Sequence, residues 1–177
     1  MARRFADLAV VYGRSSQAFS GADFEGAPEW VDDIGEAANV LVIGAGGLGC
    51  EILKDLALSG ITQITVIDMD KIDLTNLNRQ FLFRKKDVND YKAKVAAEFV
   101  MKRVPGVKIQ YHTKMIQEMP KEFYKDFQII ITGLDNIEAR RWMNQTVHDL
   151  VEFDENFQPR DETVIRLIDG GTEGFAG

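Results

Sequence analysis

The chain has 177 residues, enough for one domain with a substantial core, and its 45% hydrophobic and 28% charged residues are ordinary for a soluble globular protein. A net charge of −7 argues against a nucleic-acid partner, which would need a basic face. No apolar run approaches the ~20 residues that a membrane span requires, so we expect no membrane partner. The single cysteine, Cys50, allows no disulfide within the chain and favours a cytoplasmic or nuclear location.

The pattern of residues 1–38 predicts an N-terminal helical segment. Apolar residues recur at helical spacing on both sides of a loop rich in Gly, Ser and Ala, and Pro28 begins the second helical pattern. Packing of this helical layer on a sheet is the favoured interpretation. The alternative is that Arg14 reaches a nucleotide, because a guanidinium group binds polyphosphate bidentately.

Residues 39–177 alternate between apolar strand patterns and amphipathic helix patterns. The predicted strands are Val40–Ile43, Ile64–Asp68, Val107–Tyr111, Gln128–Thr132 and Val164–Ile168. The predicted helices are, approximately, Leu48–Ser59, Tyr91–Arg103, Lys121–Lys125 and Ile137–Glu152, followed by a polar surface insertion at Phe153–Thr163. This alternation predicts an α/β fold, with a doubly wound, mostly parallel, Rossmann-like sheet under the N-terminal layer. The final residues complete no element, so we expect residues 39–177 to be a nucleotide-binding domain truncated at its C-terminus.

A glycine loop joins the first predicted strand to the first helix. Gly44, Gly46 and Gly49 have the spacing that lets a backbone approach a nucleotide's phosphates at a helix N-terminus. Asp68 ends the second strand, where a carboxylate can accept hydrogen bonds from ribose hydroxyls. These residues alone would favour an NAD-dependent Rossmann oxidoreductase, which stays open as an alternative.

The polar residues beyond the second strand are not typical of a dehydrogenase. The carboxyl ends of parallel strands and the starts of the following helices meet at one sheet edge, so these side chains can face one nucleotide. A carboxylate that attacks the α-phosphorus of ATP needs cations near the phosphates and an acid for Mg²⁺. Asp70 and Gln80 lie in the polar segment after the second strand. The residues that provide this set are the cations Arg79 and Lys92, the amide Asn76 and the acid Asp135.

Three motifs together carry a family resemblance: GAGGLGCEILKDLALSG from Gly44, VIDMDKIDLTNLNRQFLFR from Val66, and TGLDN from Thr132, with Lys92 between the last two. Over roughly residues 38–177 the chain resembles the adenylation domain of ubiquitin-like-protein-activating enzymes and their bacterial ThiF/MoeB-like relatives. The segments RRWMNQ and LIDGGTEGFAG and the acidic insertion resemble the catalytic subunit of the Nedd/Rub-type branch.

The resemblance implies an ATP-dependent ligase that activates the C-terminal glycine carboxylate of a Nedd/Rub-like protein as an acyl-adenylate. The implied catalytic residues are Arg79, Lys92 and Asp135, with Asp135 also holding Mg²⁺. The implied nucleotide-binding residues are Gly44, Gly46, Gly49, Asp68, Asp70, Asn76, Arg79, Gln80, Lys92, Asp135 and Asn136. Gln80 and Asn136 match family positions near the nucleotide, and Asn136 is also placed to cap the helix that follows it.

The same resemblance implies partners and further parts. These are an adenylation-deficient partner subunit in a heterodimer, the ubiquitin-like protein, and a conjugating enzyme that binds through domains absent from this sequence. In the family, a phosphate-contacting arginine often comes from the partner subunit. We therefore expect the partner, and not Arg14 of this chain, to supply it. The thioester-forming cysteine and the CxxC zinc ligands of the family lie beyond Gly177, so zinc is expected only there and this part alone is expected to be inactive.

We expect structural roles for three other residues with reactive side chains. Cys50 begins a helix, whose dipole could lower its thiol pKa, but the matching family position is a structural cysteine. His112 and His148 have no partner at triad or metal-ligand spacing, so packing or surface positions are the preferred interpretation.

Overall fold

The computed structural model describes residues 37–170 and the separate positions 8, 10, 13 and 35. The predicted helical layer therefore lies almost wholly outside the described residues. Arg14 and residues 171–177 also lie outside the described residues.

The described residues form a five-stranded parallel sheet flanked by helices. The strands are β1 (Asn39–Ile43), β2 (Gln63–Ile67), β3 (Lys108–His112), β4 (Ile129–Thr132) and β5 (Arg166–Asp169). The helices are α1 (Gly47–Leu58), α2 (Lys92–Arg103), α3 (Lys121–Tyr124) and α4 (Ile137–Asp149). Short 3₁₀ turns occupy Leu74–Asn78, Lys85–Asp87, Ile116–Glu118 and Asp161–Thr163. The predicted doubly wound α/β fold is confirmed, and every strand pair among the described residues is parallel.

The central strand β1 explains why the sheet is covered on both faces. Successive side chains of a strand point to opposite faces, and a parallel sheet with helices on each face needs apolar residues at every position. Val40 and Val42 belong to one core cluster, which includes residues of α1 and α2. Leu41 and Ile43 belong to a second cluster, which includes Tyr124 and residues of α4.

The strand order fixes where a ligand can bind. The order across the sheet is β3-β2-β1-β4-β5, so the chain winds outward from β1 in one direction and then from β4 in the other. In such a sheet the loops after the two central strands part in opposite directions and leave a crevice at their carboxyl ends. The loops that begin at Gly44 and Gly133 therefore face each other across the crevice.

The largest differences from the predicted boundaries lie between β4 and β5. Helix α4 ends at Asp149 instead of continuing to Glu152, because the next N–H groups, of Leu150 and Val151, bond to carbonyls only three residues back. Strand β5 begins at Arg166, after a 3₁₀ turn that ends at Thr163. The intervening residues 152–162 are all exposed, which confirms the predicted surface insertion. In the described part of the chain, no helix is long and apolar enough to cross a membrane.

Candidate functional site

The glycine loop is shaped by close packing of main chain on main chain. Gly44 has φ +94°, and a Cβ on it would lie 2.9 Å from the carbonyl oxygen of Gly133. A Cβ on Gly49 would overlap the carbonyl oxygen of Gly44. By contrast, Gly46 has φ −77°, and the nearest atom to a Cβ there would be Gln80 Nε2 at 3.9 Å. Packing therefore requires glycine at positions 44 and 49. At position 46 the absence of a side chain leaves open space beside the helix N-terminus.

Asp68 joins the glycine loop to the end of β2. The N–H of Ala45 donates to Asp68 Oδ2 at 2.6 Å, and the N–H of Asp70 donates to Oδ1 at 2.7 Å. Burial raises the pKa of the Asp68 carboxyl above its ordinary value, although both N–H donors and the charge of Lys92 act to lower it. A desolvated carboxylate at the rim of a crevice is typical of a binding site.

Asn76 organises the polar loop after β2 from inside. Asp73 and Asn76 form a capping box: the Asp73 carboxylate accepts from the N–H of Thr75 at 2.8 Å, and Asn76 Oδ1 accepts from the N–H of Asp73 at 2.9 Å. The hydrogen bonds from Thr75 lower the pKa of Asp73. The Asn76 carbonyl accepts from the N–H groups of Arg79 and Gln80, so Asn76 sets the direction in which these two residues leave the turn.

Two residues of this loop reach the crevice in different environments. Arg79 is exposed, and its guanidinium donates to the Thr75 carbonyl at 3.3 Å and to Asn78 Oδ1 at 3.2 Å. Gln80 is only 4% exposed, and its Oε1 is buried without a hydrogen-bond partner in the described part of the chain. An unpaired buried amide oxygen is costly, and a donor from water or a bound molecule would satisfy it.

Lys92 is buried at the first position of α2. Its Nζ donates to Asp70 Oδ2 at 2.8 Å, and its N–H donates to the Asp70 carbonyl at 2.9 Å. A single antiparallel bridge between Lys71 and Tyr91 holds the two segments together. The ammonium group therefore lies beside the end of β2, although 22 residues separate Lys92 from Asp70.

The loop after β4 brings Asp135 and Asn136 to the same crevice. Asn136 caps α4, because its Oδ1 accepts from the N–H groups of Glu138 at 2.8 Å and Ala139 at 3.2 Å. This confirms the predicted cap, which uses the amide oxygen of Asn136 and not its N–H₂ group. Asp135 is exposed at the crevice and can offer a carboxylate to a cation.

These elements enclose a cavity of about 410 Å³. Of the predicted site residues, it is lined by Gly44, Gly46, Asp68, Asp70, Arg79, Gln80, Lys92, Asp135 and Asn136. The remaining two, Gly49 and Asn76, are not among its lining residues; one packs under the glycine loop and the other caps the polar turn.

The cavity also has a wall that the motifs do not indicate. It consists of Met69, Lys114, Met115, Ile116 and Gln117 from the segments after β2 and β3, and Leu134 after β4. Because strand ends in a parallel sheet share one edge, the position of Ile116 just beyond the third strand could have placed it here. This wall is largely apolar and suits the flat face of a base, with Gln117 and Lys114 as polar contacts.

The structural interpretation of Cys50 and His112 fits their environments. Burial raises the pKa of the Cys50 thiol to about 12, and the nearby carboxylates of Asp68 and Glu51 add to this effect. The expected influence of the helix dipole is thus outweighed, and the thiol stays protonated, with its S–H donating to the Ala45 carbonyl at 3.4 Å. His112 packs edge-on against Phe123, and burial lowers the pKa of its imidazole.

A crevice at the switch point of a doubly wound sheet, with a glycine loop, three cations and three acids around it, defines a nucleotide-binding α/β domain. The model of the ThiF family matches residues 20–177, and the chain belongs to this family. The resemblance carried by the motifs is thereby confirmed.

Relatives with curated names agree with this assignment. The chain is 54% identical over 154 residues to the NEDD8-activating enzyme E1 catalytic subunit of Arabidopsis thaliana, covering 87% of this chain and 34% of that protein. It is 48% identical over 178 residues to the protein of the same name from Dictyostelium discoideum, covering 98% of this chain and 40% of that protein. The chain thus spans about a third to two fifths of the length of these relatives.

A solved structure supports the fold. E. coli MccB, solved with AMPCPP and MccA, superposes with a TM-score of 0.66 at 26% identity over 86% of this chain and 45% of that chain. Family membership favours adenylation chemistry over the NAD-dependent alternative that the glycine loop alone left open.

Proposed function

We propose that this domain performs the adenylation step of a ubiquitin-like-protein-activating enzyme. It binds MgATP and activates the C-terminal glycine carboxylate of a Nedd/Rub-type protein. The carboxylate oxygen forms a bond to the α-phosphorus, the bond from that phosphorus to the bridging oxygen breaks, and pyrophosphate leaves with its electron pair. The proposal is supported by the family, by the names of the relatives at 54% and 48% identity, and by the residues that line the cavity.

The space at Gly46 is the observation that carries the nucleotide assignment. Neither its φ of −77° nor its neighbours require a glycine, yet a side chain there would project into the cavity beside the start of α1. The first N–H groups of a helix lack partners within the helix and attract phosphate. A phosphate group at this position accounts for the missing side chain.

The opposite wall supplies the charges that phosphoryl transfer needs. Arg79 and Lys92 line the cavity and can stabilise charge on the phosphoryl oxygens and on the leaving pyrophosphate. Asp68 can accept from the ribose hydroxyls, and the buried Gln80 Oε1 can accept from a further donor of the bound substrate. The apolar wall around Ile116 can hold the base.

Mg²⁺ fits the donors that are present. The described residues contain no group of three or more His, Cys, Asp or Glu side chains suited to a metal ion. Mg²⁺ usually binds one or two carboxylates and takes its other ligands from waters and substrate phosphates. Asp135, exposed at the rim, can provide such a carboxylate, and when bound the ion would neutralise phosphate charge.

The thioester step must use a cysteine outside this sequence. Cys50 is the only thiol, and its burial and raised pKa make it a poor nucleophile. We further propose that the domain works in a heterodimer with an adenylation-deficient subunit, that this subunit supplies a phosphate-contacting arginine, and that a conjugating enzyme and a zinc site belong to other parts of the protein. We place the protein in the cytoplasm or nucleus.

Pyrophosphate–ATP exchange, measured with the native protein, its partner subunit and a Nedd/Rub-type protein, tests the proposal. Asp135→Asn should lower exchange about a hundredfold or more, because it removes charge at the reacting phosphates. Glu138→Gln is the matched control, since Glu138 lies in the first turn of α4 and does not line the cavity. Exchange that continues without the Nedd/Rub-type protein, or that Asp135→Asn leaves unchanged, would overturn the proposal.

A further inference from the structure

Asp70 contacts both the ribose-binding candidate and a phosphate-binding candidate. Its N–H donates to Asp68 Oδ1 at 2.7 Å, and its carboxylate accepts from Lys92 Nζ at 2.8 Å. It also lines the cavity, where its side chain is 55% exposed. Asp70 is therefore an anion at the place where the anionic part of a nucleotide would lie.

Lys92 needs an anionic partner where it stands. Its residue is 8% exposed, it occupies the first position of α2, and the first turn of that helix contains no acidic residue. The positive end of the helix dipole disfavours a cation there, and a buried ammonium group is costly unless it is paired. Within the described residues, Asp70 is the one carboxylate that forms an ion pair with Lys92.

The main chain holds this arrangement independently of the Asp70 carboxylate. The N–H of Ile72 donates to the Asp90 carbonyl at 2.8 Å, and the N–H of Asn89 donates to the Ile72 carbonyl at 2.9 Å. The bridge between Lys71 and Tyr91 completes a short antiparallel pairing of the two segments. Replacing the carboxylate with an amide therefore changes the charge beside Lys92 and leaves the backbone in place.

We propose that Asp70 is a positioning residue that acts through Lys92. It holds the ammonium group at the cavity in the ligand-free protein and gives it up to the polyphosphate when a nucleotide binds. The phosphates thereby take over as the counter-charge, so Asp70 weakens binding of every nucleotide that must displace it. The effect depends on how much phosphate reaches Lys92, which makes Asp70 a determinant of the preference between triphosphate and monophosphate. This inference rests on the proposed nucleotide site.

Calorimetric titration of the native protein with MgATP and with AMP tests the inference. Asp70→Asn should tighten MgATP binding by about two- to fivefold, the range expected when a partly exposed ion pair no longer competes. The same variant should change AMP binding by less than about twofold. Asp70→Glu keeps the charge and should restore MgATP affinity to near the wild-type value.

A double-mutant cycle separates action through Lys92 from direct repulsion of the phosphates. In a Lys92→Met background, Asp70→Asn should change MgATP affinity by less than about twofold. Thermal melting adds a second readout: Asp70→Asn should lower the melting temperature of the ligand-free protein, and MgATP should remove most of the difference. Asp90→Asn is the control, because Asp90 lies on the same pairing, is exposed and does not line the cavity.

The outcomes separate this inference from the proposed function. Weaker MgATP binding in Asp70→Asn, equal effects on MgATP and AMP, or an undiminished effect in the Lys92→Met background would overturn the role of Asp70. Asp90→Asn matching Asp70→Asn would also overturn it, since net charge would then explain the result. A wild-type protein that binds no MgATP would instead overturn the nucleotide site itself.

Discussion

Two of the cavity's walls are built on different physical principles. The wall formed by the β1–α1 loop is main chain packed on main chain, and Gly44 and Gly49 touch neighbouring carbonyls so closely that a single methyl group does not fit. The wall formed by the segments after β2 and before α2 consists of charged side chains such as Arg79 and Lys92, held by ion pairs and turn hydrogen bonds. Substitutions at Gly44 or Gly49 should therefore damage folding, and those in the charged wall should damage binding.

The largest effect is expected from Gly49→Ala. The new Cβ would overlap the carbonyl oxygen of Gly44, which is backbone and cannot move away without opening the loop. We expect a loss of about 3 kcal/mol or more in the free energy of unfolding. Urea denaturation of the ligand-free protein measures this loss, and an unfolding midpoint equal to that of the wild type would contradict the described packing.

Gly46→Ala, in the same loop, should affect binding rather than folding. Its Cβ meets no protein atom closer than 3.9 Å, so the free energy of unfolding should fall by less than about 1 kcal/mol, the scale of an N-cap substitution. Binding of MgATP should weaken by about 2 kcal/mol, or roughly thirtyfold, because the methyl group occupies the space left for a phosphate. If the affinity for MgATP is unaffected in calorimetry, the open space at Gly46 does not hold a phosphate.

Lys92→Met tests the charged wall. The substitution leaves Asp70 half exposed, where water can solvate its carboxylate, so stability should change by less than about 1 kcal/mol. MgATP binding should weaken by about 1.5 kcal/mol, roughly tenfold, since a charge-assisted hydrogen bond to phosphate is lost. Lys94→Met on the same helix is the control and should bind as the wild type does; equal losses in both variants would assign the effect to net charge.

The smallest effect at neutral pH is expected from Cys50, which lies behind the glycine loop and alters stability only at alkaline pH. Its folded-state pKa of about 12 lies above the ordinary thiol value of 9.0, so the folded protein retains the thiol proton when the unfolded chain loses it. The stabilisation is fully present below pH 9 and declines as the pH rises toward the folded pKa, by up to about 1.4 kcal/mol per pH unit.

Denaturation at pH 9 and pH 10 checks this slope. From pH 9 to pH 10 the free energy of unfolding should fall less in Cys50→Ala than in the wild type, because the variant lacks the titrating thiol. An identical decline in both proteins would show that the thiol is not shielded as described. Such a thiol would also react readily with iodoacetamide at pH 8, whereas we expect alkylation only after unfolding.

The sequence predicted the parts of the site that depend on local patterns. The glycine loop follows from glycine spacing between an apolar strand and a helix, and the cap at Asn136 follows from its position before α4. Parallel topology then places Lys92 and Asp135 at the same edge as Asp68, as the cavity confirms.

The features that the sequence did not predict depend on tertiary contacts. The side chain of Asn76 forms a capping box with Asp73 and does not line the cavity. The direction of this side chain depends on the path of the polar loop, which the sequence pattern does not reveal. The end of α4 and the start of β5 are set by turns around a surface insertion, where no periodic pattern marks a boundary. The apolar wall gathers Met69, Met115, Ile116 and Leu134 from three separate segments, and no periodic pattern in the sequence marks these residues as one surface.

The most direct test of the central claim is calorimetric titration of the native protein with ATP and with NAD⁺, each in the presence and absence of Mg²⁺. We expect ATP to bind at one site, more tightly with Mg²⁺ than without it, and NAD⁺ to give no binding heat. Binding of NAD⁺ as tight as that of MgATP, or no binding of MgATP at all, would contradict it.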